Sequence, residues 1–92
     1  MVSIKTGSIV KSSAGRDKDR FFVVLGLEGN FAMIADGDLR RVDKPKRKKL
    51  MHLKPTRSRL DLPEAPGNSL LREELRKFCQ KNFDQEGGGV VV

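Results

Sequence analysis

Phe21-Phe-Val-Val-Leu25, Gly26-Leu-Glu-Gly-Asn30, Phe31-Ala-Met-Ile-Ala35 and Asp36-Gly37 follow one another without a break, and their reading decides the fold. The two apolar runs are short, aromatic and β-branched, which suits a pleated strand and leaves too little length for a helix. Gly26–Asn30 reads as the turn between them. Asp36-Gly37 is a tight-hairpin signal, because glycine tolerates the positive φ that such turns demand. Working outward, Ser8-Ile-Val-Lys-Ser12 reads as a first strand, and Ser13–Asp19 as a polar connection with Gly15 placed for a turn at φ > 0. Leu39-Arg-Arg-Val42 reads as a fourth strand, ended by Pro45, which has no N–H to donate. Leu50-Met-His-Leu53 reads as a fifth. About five short strands punctuated by turns predict a mostly β fold, a small SH3-like barrel over residues 1–56.

The rest of the chain has a different texture. Residues 57–67, with Pro63 and Pro66, read as a linker. An amphipathic helix is expected over 68–84, with Asn68 or Ser69 as its cap and with Leu71, Leu75, Phe78 and Cys79 at helical spacing. Glu73 and Glu74 stand towards the positive end of its dipole, and Arg76, Lys77 and Lys81 towards the negative end. The Leu71, Leu75 and Phe78 face either docks on the barrel, with Cys79 a buried thiol in the stripe, or receives a partner. Residues 85–92 read as a disordered tail.

Composition narrows the function. The chain has 92 residues, 19 Lys+Arg against 12 Asp+Glu, and a formal net charge of +7. Residues 37–60 hold ten basic and two acidic side chains, so the whole excess sits in the middle third. A block like this attracts a polyanion, since each Lys or Arg placed on a phosphate releases condensed counterions. One cysteine and one histidine leave no disulfide framework, no cysteine zinc cage and little catalytic vocabulary. No phosphate-binding loop ending in Lys-Ser or Lys-Thr is present. Asp36 and Asp38 around Gly37 look like turn chemistry, and His52 like a strand or rim residue. The expectation is a non-catalytic, cofactor-free binding module, monomeric when free. No apolar run approaches the roughly 20 residues of a membrane span, and the start lacks a signal-peptide core, so the expected location is cytoplasmic.

Gly7-Ser-Ile-Val-Lys-Ser-Ser-Ala-Gly-Arg-Asp-Lys-Asp-Arg-Phe-Phe-Val-Val24 resembles a KOW motif, with Gly15 in the place of the motif glycine. Ile34-Ala-Asp-Gly-Asp-Leu-Arg-Arg-Val-Asp-Lys-Pro-Lys-Arg-Lys-Lys49 strengthens the likeness. Together they are similar to small bacterial stand-alone KOW proteins related to a eukaryotic and archaeal large-subunit ribosomal protein family, over roughly residues 4–56. The resemblance implies an SH3-like barrel that binds structured RNA, with ribosomal RNA as the partner. Asp17 and Asp19 flank Lys18, which weakens the first loop's attraction for phosphate relative to an all-basic loop.

Geometry then divides the work. Arg40 and Arg41 are expected as positioned contacts fixed by a strand, with Lys44, Lys46, Arg47, Lys48 and Lys49 as sequence-independent phosphate contacts. Arg16, Lys18 and Arg20 form a second contact point around Gly15. Phe21, Phe22 and Phe31 are expected in the core, which leaves RNA shape and phosphate spacing as the basis of recognition. The competing reading is a protein–protein adaptor that docks on a ribosomal protein or RNA polymerase through the barrel or helix. An anionic membrane surface ranks third, because the basic block has no apolar anchor beside it.

Overall fold

The computed structural model describes residues 3–86, with side chains as far as Gln80. The protein is mostly β. Five antiparallel strands, β1 (Ser8–Ser12), β2 (Phe21–Glu28), β3 (Phe31–Ala35), β4 (Lys46–Lys49) and β5 (Leu53–Arg59), form one sheet and precede a single helix, α1 (Asn68–Glu86). The strand order is β4-β3-β2-β1-β5, so β4 and β5 stand at opposite edges. Yet only one turn of 3-10 helix, Leu50–His52, joins them. In a flat sheet those edges would be roughly 19 Å apart at about 4.8 Å per strand, whereas three residues of 3-10 helix rise only about 6 Å. The sheet must therefore curl on itself. The link is anchored on both sides of the closure: the Leu50 N–H donates to the Asn30 carbonyl at 2.8 Å, and the Ser13 N–H donates to the His52 carbonyl at 2.9 Å.

Curling buries one face of the sheet, and α1 covers part of the other. Phe22, Val23 and Val24 of β2 are all fully buried, although successive strand residues point to opposite sides. The inner face packs Val10, Phe22, Val24, Ala32, Ile34 and Leu53 into the barrel. The outer face offers Ile9, Val23 and Ala35 to Leu71, Leu75 and Phe78 of α1. The Val10↔Phe22 and Val24↔Ile34 pairs set the inner core across the strands, and the Ile9↔Val23 and Val23↔Ala35 pairs set the outer one. Phe78 meets Phe21 edge to face, with ring centroids 5.1 Å apart. The helical stripe is thus used inside the molecule, not held out to a partner. Its contact positions are Leu71, Leu75 and Phe78; Cys79, one position further round, is exposed and is not the buried thiol expected.

Several boundaries move. β2 runs through Gly26 to Glu28, because Gly26 follows a register shift and is accommodated in the strand instead of ending it. The turn is Gly29-Asn30. Leu39–Val42 is not a strand. The Asp36 carboxylate takes the backbone there: its Oδ1 accepts the N–H groups of Asp38 and Arg40, both at 2.9 Å. The fourth strand is instead the basic run Lys46–Lys49, and Pro45 precedes it. Leu50–His52 is helical, so His52 lies on the 3-10 turn. β5 extends from Leu53 to Arg59, into what reads from sequence as linker. Gln85 and Glu86 belong to α1, and the remainder of the expected tail, 87–92, lies outside the described residues.

The residue-36–45 loop is clamped by the start of α1. Asn68, read from sequence as a cap, accepts the Val42 N–H on Oδ1 at 2.8 Å. Arg72 donates to the Gly37 carbonyl at 2.7 Å. Gly37 has φ +79°, and a Cβ there would stand 2.2 Å from the Asn68 carbonyl oxygen. Only glycine allows the helix this close.

Candidate functional site

The run Lys46-Arg-Lys-Lys49 looks uniform in sequence, but strand alternation splits it. The Ala32↔Lys48 and Ile34↔Lys46 pairs put Lys46 and Lys48 on the side of the barrel core, and Phe31↔Lys49 and Met33↔Arg47 put the other two outside. The Lys48 side chain is only 7% exposed. Its Nζ donates to the Ala14 carbonyl at 2.7 Å and to Asp17 Oδ1 at 3.0 Å. Lys46 Nζ lies 3.3 Å from the other oxygen of the same carboxylate. Burial opposes ionisation of Asp17, but the hydrogen bonds from Lys48, its own backbone and Lys46, with the Lys48 charge, outweigh it and hold the carboxyl below its usual range. Lys48 is therefore an interior residue, not the phosphate contact expected of it, and Lys46 is largely committed to the same acid. Gly15 sits over this pair with φ +85°, as its expected turn role requires, and a Cβ there would lie 3.2 Å from Lys48 Nζ.

Outside, the Arg47 guanidinium lies 3.7 Å from the centre of the Phe31 ring and also pairs with Glu28 at 3.3 Å. Phe31 is thus a half-buried surface aromatic, unlike Phe22 in the core, and Phe21 is half-buried beneath α1. Phe31, Lys49, Leu50 and Met51 line a hollow of about 290 Å³ with Asn30.

The two loops carry the remaining cations. Arg16 and Lys18 are exposed on the β1–β2 turn, where the Lys18 N–H donates to the Gly15 carbonyl at 3.3 Å. Arg20 is tied to Asp36 at 3.4 Å. Arg40 is half-buried, and Arg41 and Lys44 are exposed. Neither arginine is held by a strand: the Arg40 N–H donates to Asp36 Oδ1 at 2.9 Å, and the Arg41 carbonyl accepts the Lys44 N–H at 3.0 Å. Arg41 and Asp43 are 3.9 Å apart and both open to solvent, an arrangement that leaves the arginine available.

The Lys11↔Phe21, Val23↔Ala35 and Ile34↔Lys46 pairs bring the two loops out at one end of the sheet. Asp17 ties the first to β4, and the Arg20–Asp36 pair ties the second to the start of β2. Arg16, Lys18, Arg40, Arg41 and Lys44 thus sit on neighbouring tethered loops, while Arg47 and Lys49 lie on the outer face of the adjoining strand. Sequence reasoning missed Phe31 as part of this face, although alternation along β3 would have opposed it to Ala32 and Ile34.

Among the described residues no cluster of histidine, cysteine or carboxylates could hold a metal ion, and no helix is long and apolar enough to cross a membrane. No protein-family model and no curated protein matches the chain.

Proposed function

We infer that the protein is a non-catalytic, RNA-binding barrel of SH3-like, KOW type that acts on structured RNA. The leading partner is ribosomal RNA, engaged in the cytoplasm as a ribosome-associated or ribosome-assembly protein. The observation that carries the reading is the gathering of Arg16, Lys18, Arg40, Arg41 and Lys44 on two tethered loops beside Arg47 and Lys49 on the outer face of β4, on a chain of net charge +7. Tethering lowers the entropy lost when these side chains meet a phosphate backbone, because their main chain is already ordered. The motif-like stretches around Gly15 and from Ile34 to Lys49 support the same reading. Arg47, whose guanidinium lies 3.7 Å from the centre of the Phe31 ring, offers with it a surface on which an unpaired base stacks.

The adaptor reading loses its helical form, because Leu71, Leu75 and Phe78 are covered by the barrel. The two readings part on salt. Contacts to several phosphates weaken with a log–log slope of about −0.7 to −0.9 for each phosphate neutralised.

The test is sedimentation of cell lysate through sucrose gradients at low and high salt, with the protein followed across free, subunit and ribosome fractions. Salt-sensitive comigration with the large subunit, lost in a variant with Arg16, Lys18, Arg41 and Lys44 changed to Gln, is the expected result. Retention at the top of the gradient at both salts would remove the ribosome as host.

A further inference from the structure

β5 carries a second feature that the loop interface does not use. Its pairing with β1 slips: Ser8 faces Arg59, but Val10, two residues on, faces Pro55. The extra residues of β5 are pushed out as a bulge at Thr56, Arg57 and Ser58. The distortion is stabilised from within. Thr56 Oγ1 donates to the Ile9 carbonyl at 2.7 Å, and the Ser58 N–H donates to Thr56 Oγ1 at 3.2 Å. Opposite the bulge the chain enters β1 through a fixed turn, where the Lys5 N–H donates to Ser8 Oγ at 2.8 Å and Gly7 lies at φ +91° against the Leu60 carbonyl. Bulges of this kind re-aim side chains beside functional sites.

Between the bulge and the turn lies a cleft of about 290 Å³, lined by Lys5, Arg57 and Arg59 with the hydroxyl residues Ser3, Ser8, Thr56 and Ser58, and by no acidic residue. Arg59 is steadied by Nε on the Thr6 carbonyl at 3.1 Å. Among the described residues, the side-chain charges of Lys5 and Arg57 have no protein partner. The Thr56 hydroxyl is spent on the Ile9 carbonyl and holds the bulge, which leaves three cations and the hydroxyls of Ser3, Ser8 and Ser58 in one concavity without a carboxylate, a set of donors for a tetrahedral oxyanion: arginine offers a fork, lysine a mobile charge and the hydroxyls single bonds.

We propose that this cleft is a phosphate-binding site, distinct from the loop face, which takes either a backbone phosphate of RNA or the phosphate of a small phosphorylated molecule. It does not depend on the RNA reading, since the ligand chemistry is the phosphate group alone.

The test is an amide-resolved NMR titration of the full chain with inorganic phosphate, against sodium chloride at matched ionic strength. Saturable shifts at Ser8, Thr56, Arg57 and Ser58, seen with phosphate only, are expected. Arg57→Gln, at an exposed side chain without an internal partner, should keep the rest of the spectrum and raise the half-saturating phosphate about tenfold, the size of a lost charge-assisted bond. Shifts that never saturate, or that spread equally over Arg16, Lys18 and Lys44, overturn the site. A second arm uses a short A-form RNA duplex. If Arg57→Gln flattens the salt slope by about 0.7 to 0.9, the occupant is an RNA phosphate. If phosphate saturates the cleft and RNA affinity is unmoved, the occupant is a small phosphorylated molecule, and the site stands in either case.

Discussion

At Asp17 one carboxylate is held between two ammonium groups beneath the β1–β2 loop. Removing one member of a buried pair leaves the other charged and unsolvated, which costs about 3–5 kcal/mol. Lys48→Met is therefore expected to lower the unfolding free energy by about 3 kcal/mol, read from urea denaturation, while Lys49→Met on the outer face changes it little. The pair also fixes a direction of pH dependence. A carboxyl held below its unfolded value contributes stability above that value and loses it as the pH falls through the folded one. The urea midpoint is expected to drop on acidification below about pH 4, the unperturbed Asp range, and Asp17→Asn should flatten that drop. An unchanged acid limb in the variant would mean that other carboxylates set it. From sequence, Asp17 reads only as a charge that weakens a basic loop. Its partners stand some 30 residues on, at a distance that local pattern does not reach.

At the scale of elements, the barrel is not complete without α1. Ile9, Val23 and Ala35 form an apolar outer face that Leu71, Leu75 and Phe78 cover. Leu71→Ala should cost about 2–5 kcal/mol and lower the thermal midpoint of the whole domain, whereas a helix folded independently of the barrel would leave the barrel transition in place. The helix is legible from its apolar spacing and cap, and β1 and β3 from short runs with β-branched or aromatic residues bounded by turn signals. β4 is hidden because lysine and arginine fit a strand poorly by propensity, and it forms here through its ladder with β3 and the buried Asp17. The strand expected at Leu39–Val42 fails for the opposite reason: its local pattern is acceptable, but the Asp36 side chain satisfies the backbone first.

Across the whole molecule, charge is distributed by face. Of the cations expected to meet RNA, Lys48 is interior and Lys46 and Arg20 are paired with buried acids. Arg16, Lys18, Arg41, Lys44 and Lys49 remain exposed, with Arg47 stacked on Phe31. Neutralising Arg41 and Lys44 together is expected to reduce the salt slope of RNA binding by about 1.4 to 1.8, measured by fluorescence anisotropy at several salt concentrations. Lys46→Gln should change stability more than slope. The concentration of charge is legible from composition, but its division into interior and exterior depends on the strand register.

Both open edges of the curled sheet are cationic: β4 carries Arg47 and Lys49, and β5 carries Lys54, Arg57 and Arg59. An unpaired edge is a template on which a second chain can add its own strand, and like charge along it opposes that addition. The side chains proposed to draw in a polyanion would therefore also discourage two copies from joining edge to edge, and a bound polyanion would relax that protection by the same neutralisation that gives it affinity.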